Sequence, residues 1–259
     1  MKQPLPWIEP QEALPQPDRA WLEPNGLLCA GVDLSAERLL EAYSNGIFPW
    51  YSPGQPVLWW SPDPRMVLVL ENFKLHRSLR KTLANVRAKG VWQLTLNLCF
   101  SQVMRACAAP RDGQSGTWIT EDIIDAYTDL HLKGLAHSIE VWERPVAVAD
   151  SQENQQASQL VAGLYGVAIG RMFFGESMFT LRTDASKLAF LTLVKSLLKM
   201  GFTMLDCQQN TPHLASFGAS EIQRGVFLAR IKALMNQPAA PWQELCDAEG
   251  RLNWPTIED

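Results

Sequence analysis

The sequence lacks the features that mark several broad classes of protein. Its five cysteines are odd in number and form no C-x-x-C pair, which argues against a disulfide framework and a structural zinc site. No apolar run is as long as the roughly 18 residues that a membrane span requires. The N-terminus carries proline and acid where a signal peptide would be apolar. We therefore expect a cytoplasmic protein that binds no membrane and holds no metal. We also expect a monomer, although none of these absences bears on the oligomeric state.

Positive charge is in the minority, because 23 Lys and Arg residues stand against 27 Asp and Glu residues, for a net charge of −4. Residues 74–89 are the exception, with six of the 23 Lys and Arg residues and no acidic one. A helical projection places an apolar stripe on one side of this segment and its cations on the other. The bland interpretation is a solvated helix surface, although such surfaces usually mix both signs. The alternative is a phosphate-binding face. Its candidate residues are Lys74, Arg77, Arg80, Lys81 and Arg87.

The order of predicted elements indicates the fold class. Residues 1–26 are proline-rich and predict an extended arm, and a composition change near residue 63 separates a small N-terminal domain (1–63) from a larger one (64–259). Capping and periodicity predict helices over 35–45, 74–89, 100–108, 120–133 and 185–200. Strands are predicted over 66–70, 94–97, 138–142, 160–169, 172–176 and 202–206. This alternation favours an α/β (α+β) fold with a mixed sheet flanked by helices, in a GNAT-like (acetyltransferase-like) layout.

Two segments are predicted to lie outside the core. Residues 150–158 (DSQENQQAS) are polar and low in complexity, which is typical of a hairpin tip lengthened by insertion. The tail from Gln237 onward has three prolines and few apolar residues, so we expect it to pack loosely.

Polar side chains interrupt two apolar segments and are candidate site residues. Glu176 lies within FFGESMF, where a carboxylate must be hydrogen-bonded or serve a site. Asp206 ends a buried strand, and alternation places Gln208 on the same face. Either acid could instead be structural, Glu176 as a buried group bonded to backbone and Asp206 as a cap of the next turn. The functional interpretation is a relay in which Asp206 orients and polarises Gln208.

Several blocks together resemble the leucyl/phenylalanyl-tRNA–protein transferase family. They are GIFPW (46–50), WWSPDPR (59–65), GTWIT (116–120), HSIEVW (137–142), FFGESMF (173–179) and LDCQQNTPH (205–213), and the resemblance runs from Leu22 to Arg224. It implies a GNAT-like core behind a small N-terminal domain. It also implies a bacterial cytoplasmic enzyme that moves Leu or Phe, and Met less well, from tRNA to an N-terminal Arg or Lys. The product is marked for degradation, and the activated ester needs neither metal nor ATP.

The resemblance also implies roles for individual residues. Glu176 would hold the aminoacyl α-amino group, while Phe173, Gly175 and Met178 shape a pocket that rejects branching at Cβ. The resemblance extends this pocket to Leu164, and it places Trp50, Trp118 and Tyr127 near the 3′-terminal adenosine and Thr211 at a substrate contact. For most tryptophans the better prior is a core position. The basic segment 74–89 would face the acceptor stem. Asp206 and Gln208 would be catalytic, with Asp206 either a general base or an electrostatic orienter.

Three other functions compete with this one. An acetyl-CoA-dependent transferase would need a glycine-rich loop at the start of the helix at residue 185, where TDAS (183–186) stands instead. A thiol hydrolase could use Cys207 with His213 or His137, but alternation turns Cys207 away from Asp206 and Gln208. A non-catalytic tRNA-binding module would bind in a salt-dependent way without transferring anything.

Overall fold

The computed structural model describes residues 4–110, 117–144 and 158–256. Gly116 of the GTWIT block and residues 150–157 of the predicted insertion lie outside the described residues. The helices are α1 Ala36–Ser44, α2 Arg77–Lys89, α3 Phe100–Ala108, α4 Glu121–Leu132, α5 Ala185–Lys199, α6 Pro212–Ser216 and α7 Arg224–Met235. The strands are β1 Trp7–Ile8, β2 Leu27–Gly31, β3 Phe48–Pro49, β4 Val57–Trp60, β5 Arg65–Val69, β6 Trp92–Leu96, β7 Ala136–Glu143, β8 Gln159–Ile169, β9 Met172–Thr180, β10 Met204–Gln208 and β11 Ser220–Ile222.

Two sheets organise these strands. The smaller has the order β1-β2-β4-β3, and the larger has the order β11-β5-β10-β9-β8-β7-β6. In the larger sheet β9 and β10 are parallel and the other neighbours are antiparallel. Helix α5 makes the crossover that a parallel pair requires. The predicted mixed sheet flanked by helices is confirmed.

Local signals in the sequence explain where the predicted helices begin and end. The Ser35 side chain accepts the Arg38 N–H and so caps α1, while Thr120 caps α4 in the same way. Gly46 follows α1 with a φ of 67°, the left-handed conformation that glycine adopts without strain. Helix α2 begins at Arg77, three residues later than the projection predicted, so Lys74 lies before it.

The larger sheet separates two apolar clusters. Helix α5 and the buried stripe of α2 cover one face. The other face packs against α3, α4 and the N-terminal residues in a single cluster that also contains Tyr43 and Trp59. The small sheet therefore shares its core with the large one. One sheet ends at Trp60 and the other begins at Arg65. The division at residue 63 stays a prediction.

The C-terminal tail is where the sequence-based expectation of loose packing is wrong. Trp242 is buried, and its ring stacks on His137 with centroids 3.9 Å apart. Leu252 donates its backbone N–H to Leu94 of β6, and a bridge joins Thr95 to Arg251. One large aromatic ring and a few backbone bonds are thus enough to dock a proline-rich segment along the outer strand of the sheet.

Candidate active site

The candidate site lies where β9 and β10 separate. Their pairing ends at Phe174 and Asp206, and both strands then carry an extra residue. Opposite β8, Gly175 and Ser177 pair with consecutive residues, which leaves Glu176 as the bulge. Opposite β5, the extra residue is Cys207. Bulges re-aim side chains, and these two open the sheet at the positions of the candidate residues.

A cavity of about 100 Å³ occupies this opening. Four predicted pocket residues line it, namely Leu164, Phe173, Gly175 and Met178, as do Glu176, Asp206 and Gln208. Apolar side chains that the sequence had not indicated complete the wall: Phe190, Leu193, Leu205 and Leu214. Strict alternation would put residues 173 and 178 on opposite faces of β9, and the bulge between them brings both to one side.

Glu176 is held at the mouth of the cavity by three donors. Its Oε1 accepts the Tyr43 hydroxyl (2.7 Å) and the Gln208 Nε2 amide (3.0 Å), and its Oε2 accepts the Tyr127 hydroxyl (3.3 Å). The hydroxyls of Tyr43 and Tyr127 also contact each other, so three contacts link these two groups and Glu176. Burial, with a smaller contribution from the Asp206 charge, raises the pKa of Glu176 to about 8 against the lowering effect of these hydrogen bonds. The carboxyl group is therefore protonated over much of the neutral range.

The relay prediction had Asp206 orient and polarise Gln208, but the side chains of these two residues do not bond to each other. The oxygens of Asp206 accept Arg65 Nε (2.8 Å) and Nη2 (2.6 Å), and Oδ1 also accepts the backbone N–H of Gln208 (2.9 Å). The Gln208 side chain donates to Glu176 instead. The bulge at Cys207 and a left-handed φ of 61° at Gln208 end the alternation on which that prediction rested. Asp206 is thus bonded to the backbone of Gln208 and not to its side chain, and its predicted role as a general base or an orienter stays a prediction.

The three aromatic residues predicted to lie near the 3′-terminal adenosine differ in their surroundings. Trp50 is 42% exposed and Trp118 is half-buried, so both can offer a ring face. Tyr127 is fully buried, and its ring packs edge-on against Tyr43 and Tyr165. Because no face of the ring is open, Tyr127 cannot stack on a base in this conformation, and its predicted place near the adenosine stays a prediction. Its hydroxyl supports Glu176.

Thr211 is exposed, and its hydroxyl accepts the Leu214 N–H at the start of α6. This capping bond gives Thr211 a structural role, and its predicted substrate contact stays a prediction.

The predicted basic face is largely exposed. Its apolar stripe, Leu79, Leu83 and Val86, is buried as the projection required. The side chains of Lys74, Arg77, Lys81 and Arg87 are exposed, and within the described residues no ion pair holds any of these four. Arg80 is half-buried and does have an interaction partner.

The structure gives the competing thiol chemistry little support. Cys207 lines the same cavity as Asp206 and Gln208, so the prediction that it faces away from them is wrong. It is buried, however, and burial together with the nearby Asp206 charge raises the pKa of its thiol, which opposes formation of the nucleophilic thiolate. Burial lowers the pKa of His137 to about 3, and its ring is stacked beneath Trp242.

Besides the apolar residues of the cavity wall, sequence reasoning missed two polar residues that support the site, Tyr43 and Arg65. Tyr43 lay inside an ordinary amphipathic helix and gave no signal. Arg65 did give one, because it begins an otherwise apolar strand, and a cation there requires a partner.

A mixed sheet that opens onto an apolar cavity, with an acid and an amide at its mouth, is the arrangement of an α/β enzyme. Comparison with known proteins gives the family. The family profile "Leucyl/phenylalanyl-tRNA protein transferase" matches residues 67–232, and the profile of that family's N-terminal domain matches residues 32–63. The chain belongs to the leucyl/phenylalanyl-tRNA–protein transferase family.

Curated relatives agree over nearly the full length. The leucyl/phenylalanyl-tRNA–protein transferase of Burkholderia vietnamiensis is 53% identical over 244 residues, which cover 92% of this chain and 91% of the relative. That of Burkholderia ambifaria is 52% identical with the same coverage. Among solved structures, FemX matches with a TM-score of 0.44 and 12% identity over 71% of this chain and 66% of its own. No described helix is long and apolar enough to cross a bilayer.

Proposed function

We propose that this protein transfers Leu or Phe, and Met less well, from aminoacyl-tRNA to the α-amino group of an N-terminal Arg or Lys. The cavity at the separation of β9 and β10 carries the proposal, because its apolar wall suits such a side chain and its polar groups lie at the mouth. Family membership supports the donor and acceptor classes. The product would carry a residue that marks a protein for degradation, in the cytoplasm, and the protein would act as a monomer.

The reaction we propose is aminolysis of an ester. The acceptor amine attacks the ester carbonyl, a C–N bond forms, and the bond from the carbonyl carbon to the ribose oxygen breaks. The amine loses a proton and the ribose oxygen gains one. Because the ester is already activated, the step needs neither metal nor ATP. A neighbouring ribose hydroxyl could carry this proton.

Two polar groups at the cavity mouth have distinct roles in this proposal. Glu176 binds the aminoacyl α-amino group, which can share the carboxyl proton. The Gln208 amide, fixed by its bond to Glu176 and by Asp206 beneath it, faces the reacting ester. Trp50 and Trp118 would contact the terminal adenosine, where stacking contributes about 1–3 kcal/mol per base. The cations of the basic face (Lys74, Arg77, Arg80, Lys81 and Arg87) would bind acceptor-stem phosphates.

A transfer assay tests the proposal. The protein is incubated with labelled leucyl-tRNA and with peptides that begin with Arg, Lys or Asp and are otherwise identical. We expect label on the Arg and Lys peptides and none on the Asp peptide. Salt-dependent binding of the tRNA without label on any peptide would show a binding module in place of an enzyme.

A further inference from the structure

Arg65 is a fully buried cation at the first position of β5. Its Nε and Nη2 donate to the two oxygens of Asp206, at 2.8 and 2.6 Å, and its Nη1 donates to the Gly46 carbonyl at 3.2 Å. The rings of Phe48 and Phe227 each lie 4.7 Å from its Cζ. Such complete burial is costly for a guanidinium unless every contact is well formed, and this site provides a carboxylate, a carbonyl and two rings.

The partner of Arg65 has a second task. Asp206 Oδ1 also accepts the backbone N–H of Gln208, the residue with left-handed φ just after the bulge. A non-glycine residue in that conformation is strained unless its surroundings hold it. The bond from Asp206 is one such constraint, and it sets the direction in which the Gln208 side chain leaves β10.

These contacts close into a ring. Arg65 binds the Gly46 carbonyl just after α1, and Tyr43 of α1 donates to Glu176. Glu176 accepts the Gln208 amide, and Asp206 links Gln208 back to Arg65. The ring joins helix α1 of the N-terminal unit to strands β5, β9 and β10, and its members Glu176 and Gln208 face the cavity.

We propose that Arg65 is a positioning residue for aminoacyl transfer, which acts through Asp206 to hold the Gln208 amide against Glu176 at the reacting ester. The inference rests on the proposed function. Arg65 lies behind Asp206, and the polar contacts of its guanidinium go to protein groups. Replacement of Arg65 should therefore alter the geometry of the transfer step. It should leave the aminoacyl cavity and the basic face unchanged.

The shape of the guanidinium matters as much as its charge. A planar fork can meet both carboxylate oxygens and a carbonyl at once, whereas an ammonium is a point donor that cannot span all three. The flat group also fits between two aromatic rings. Lysine at this position keeps the charge beside Asp206 and loses the fork, so Arg65→Lys separates the two contributions.

The test compares Arg65→Lys with the wild-type protein in steady-state transfer of leucine to an Arg-initiated peptide. We expect kcat to fall by about 10- to 100-fold, because small displacements of positioned groups cost rate on that scale. The KM for leucyl-tRNA should stay within about twofold, because docking and side-chain binding lie elsewhere. An unchanged kcat, or a loss confined to KM, would overturn the proposal.

Arg38→Lys, the same substitution at another buried arginine, is the matched control. Arg38 also has acidic and carbonyl partners, but it fastens the N-terminal arm through Glu9, Pro10 and Glu12. Its replacement should lower thermal stability and leave kcat near the wild-type value. An equal fall of kcat in both variants would reduce Arg65 to a general structural role and overturn the proposal. Absence of transfer by the wild-type protein would refute the proposed function first, and this role with it.

A double-mutant cycle tests the route through Asp206. If Arg65 acts by way of Asp206, then Arg65→Met together with Asp206→Asn should have a kcat no lower than the slower single variant. Multiplication of the two single effects would show independent roles and contradict the proposal. Where Arg65→Met is too unstable to assay, Arg65→Lys takes its place in the cycle with the same expectation.

Discussion

At the scale of single residues, the size of the cavity can discriminate among apolar side chains. Its volume of about 100 Å³ is smaller than the roughly 150 Å³ of an engineered protein cavity that holds benzene. A leucine side chain therefore fits with less displacement of the wall than a phenylalanine ring. Leu193 of α5 forms part of that wall, and its truncation would enlarge the cavity.

We predict that the wild-type protein favours Leu over Phe in kcat/KM by about tenfold, the lower end of what a misfit of one methylene costs in an apolar pocket. Leu193→Ala should shift this ratio toward Phe. Leu191→Ala, which removes a buried leucine of α5 outside the cavity lining, is the control and should leave the ratio unchanged. The measurement is competition between the two charged tRNAs, and an unaltered ratio in Leu193→Ala would contradict the prediction.

Glu176 gives a prediction about pH and stability. Its pKa in the folded protein is about 8 against 4.5 for an ordinary Glu, because burial disfavours the charged form. The folded state therefore binds the extra proton between these values, and the free energy of unfolding falls as pH rises, by at most about 1.4 kcal/mol per pH unit. The stabilising contribution of the Glu176 proton is complete below pH 4.5 and is lost as the pH rises through 8.

The measurement is denaturant unfolding at several pH values for the wild-type protein and Glu176→Gln. The glutamine keeps the shape and removes the titration, so the difference between the two curves isolates Glu176. That difference should slope in the stated direction between pH 4.5 and 8. His137 has a pKa of about 3, so its contribution to the free energy of unfolding rises with pH in the acidic range. This contribution is the same in both proteins and cancels in the comparison. Parallel curves would mean that Glu176 is ionised throughout.

Among the elements, α2 carries the basic face that the sequence predicted, and its binding of phosphate can be tested. Arg77→Ala with Lys81→Ala should raise the KM for charged tRNA and lower the salt dependence of binding by about one unit of log–log slope for each phosphate that is no longer bound. The control is Arg230→Ala with Lys232→Ala, two exposed cations on α7. We expect the control to bind like the wild type. An equal fall of slope in both pairs would mean that binding follows net charge and not this face.

The elements also show how far sequence reasoning reaches. Helices with a cap, an apolar stripe and a terminal glycine were predicted to within a few residues, because those signals are local. Strands β1 to β4 and β11, together with helices α6 and α7, were missed because they are short or lack strong periodicity. The same limit applied at the site. Glu176 and Gln208 were recognised as polar interruptions, but alternation could not show the bulges that set their directions, and the Arg65–Asp206 pair joins residues 141 positions apart.

On the scale of the whole molecule, the N-terminal unit and the larger sheet depend on each other. They share one apolar cluster, and Tyr43 and Gly46 of the first unit supply hydrogen bonds to residues of the second. We predict that the chain unfolds in one cooperative transition and that residues 64–259 alone do not form a stable site, because Glu176 and Arg65 would lose these partners.

Two buried thiols can report on this prediction. Cys29 lies in the small sheet and Cys207 in the large one. Mass-spectrometric labelling along a denaturant series should show both becoming reactive at the same midpoint. If Cys29 reacts at a lower denaturant concentration than Cys207, the N-terminal unit opens by itself and the two units are separable domains.

The two bulges have a consequence for how this sequence can change length. Removal of one residue near Glu176 would restore regular pairing with β8 and turn Met178 toward the other side of the sheet, although every remaining amino acid would be unchanged. Removal of one residue near Cys207 would similarly redirect the Gln208 side chain at the end of β10. Substitutions along these strands can be absorbed one at a time, whereas insertions and deletions between Phe173 and Met178, or between Asp206 and Gln208, should be excluded from active descendants of this chain.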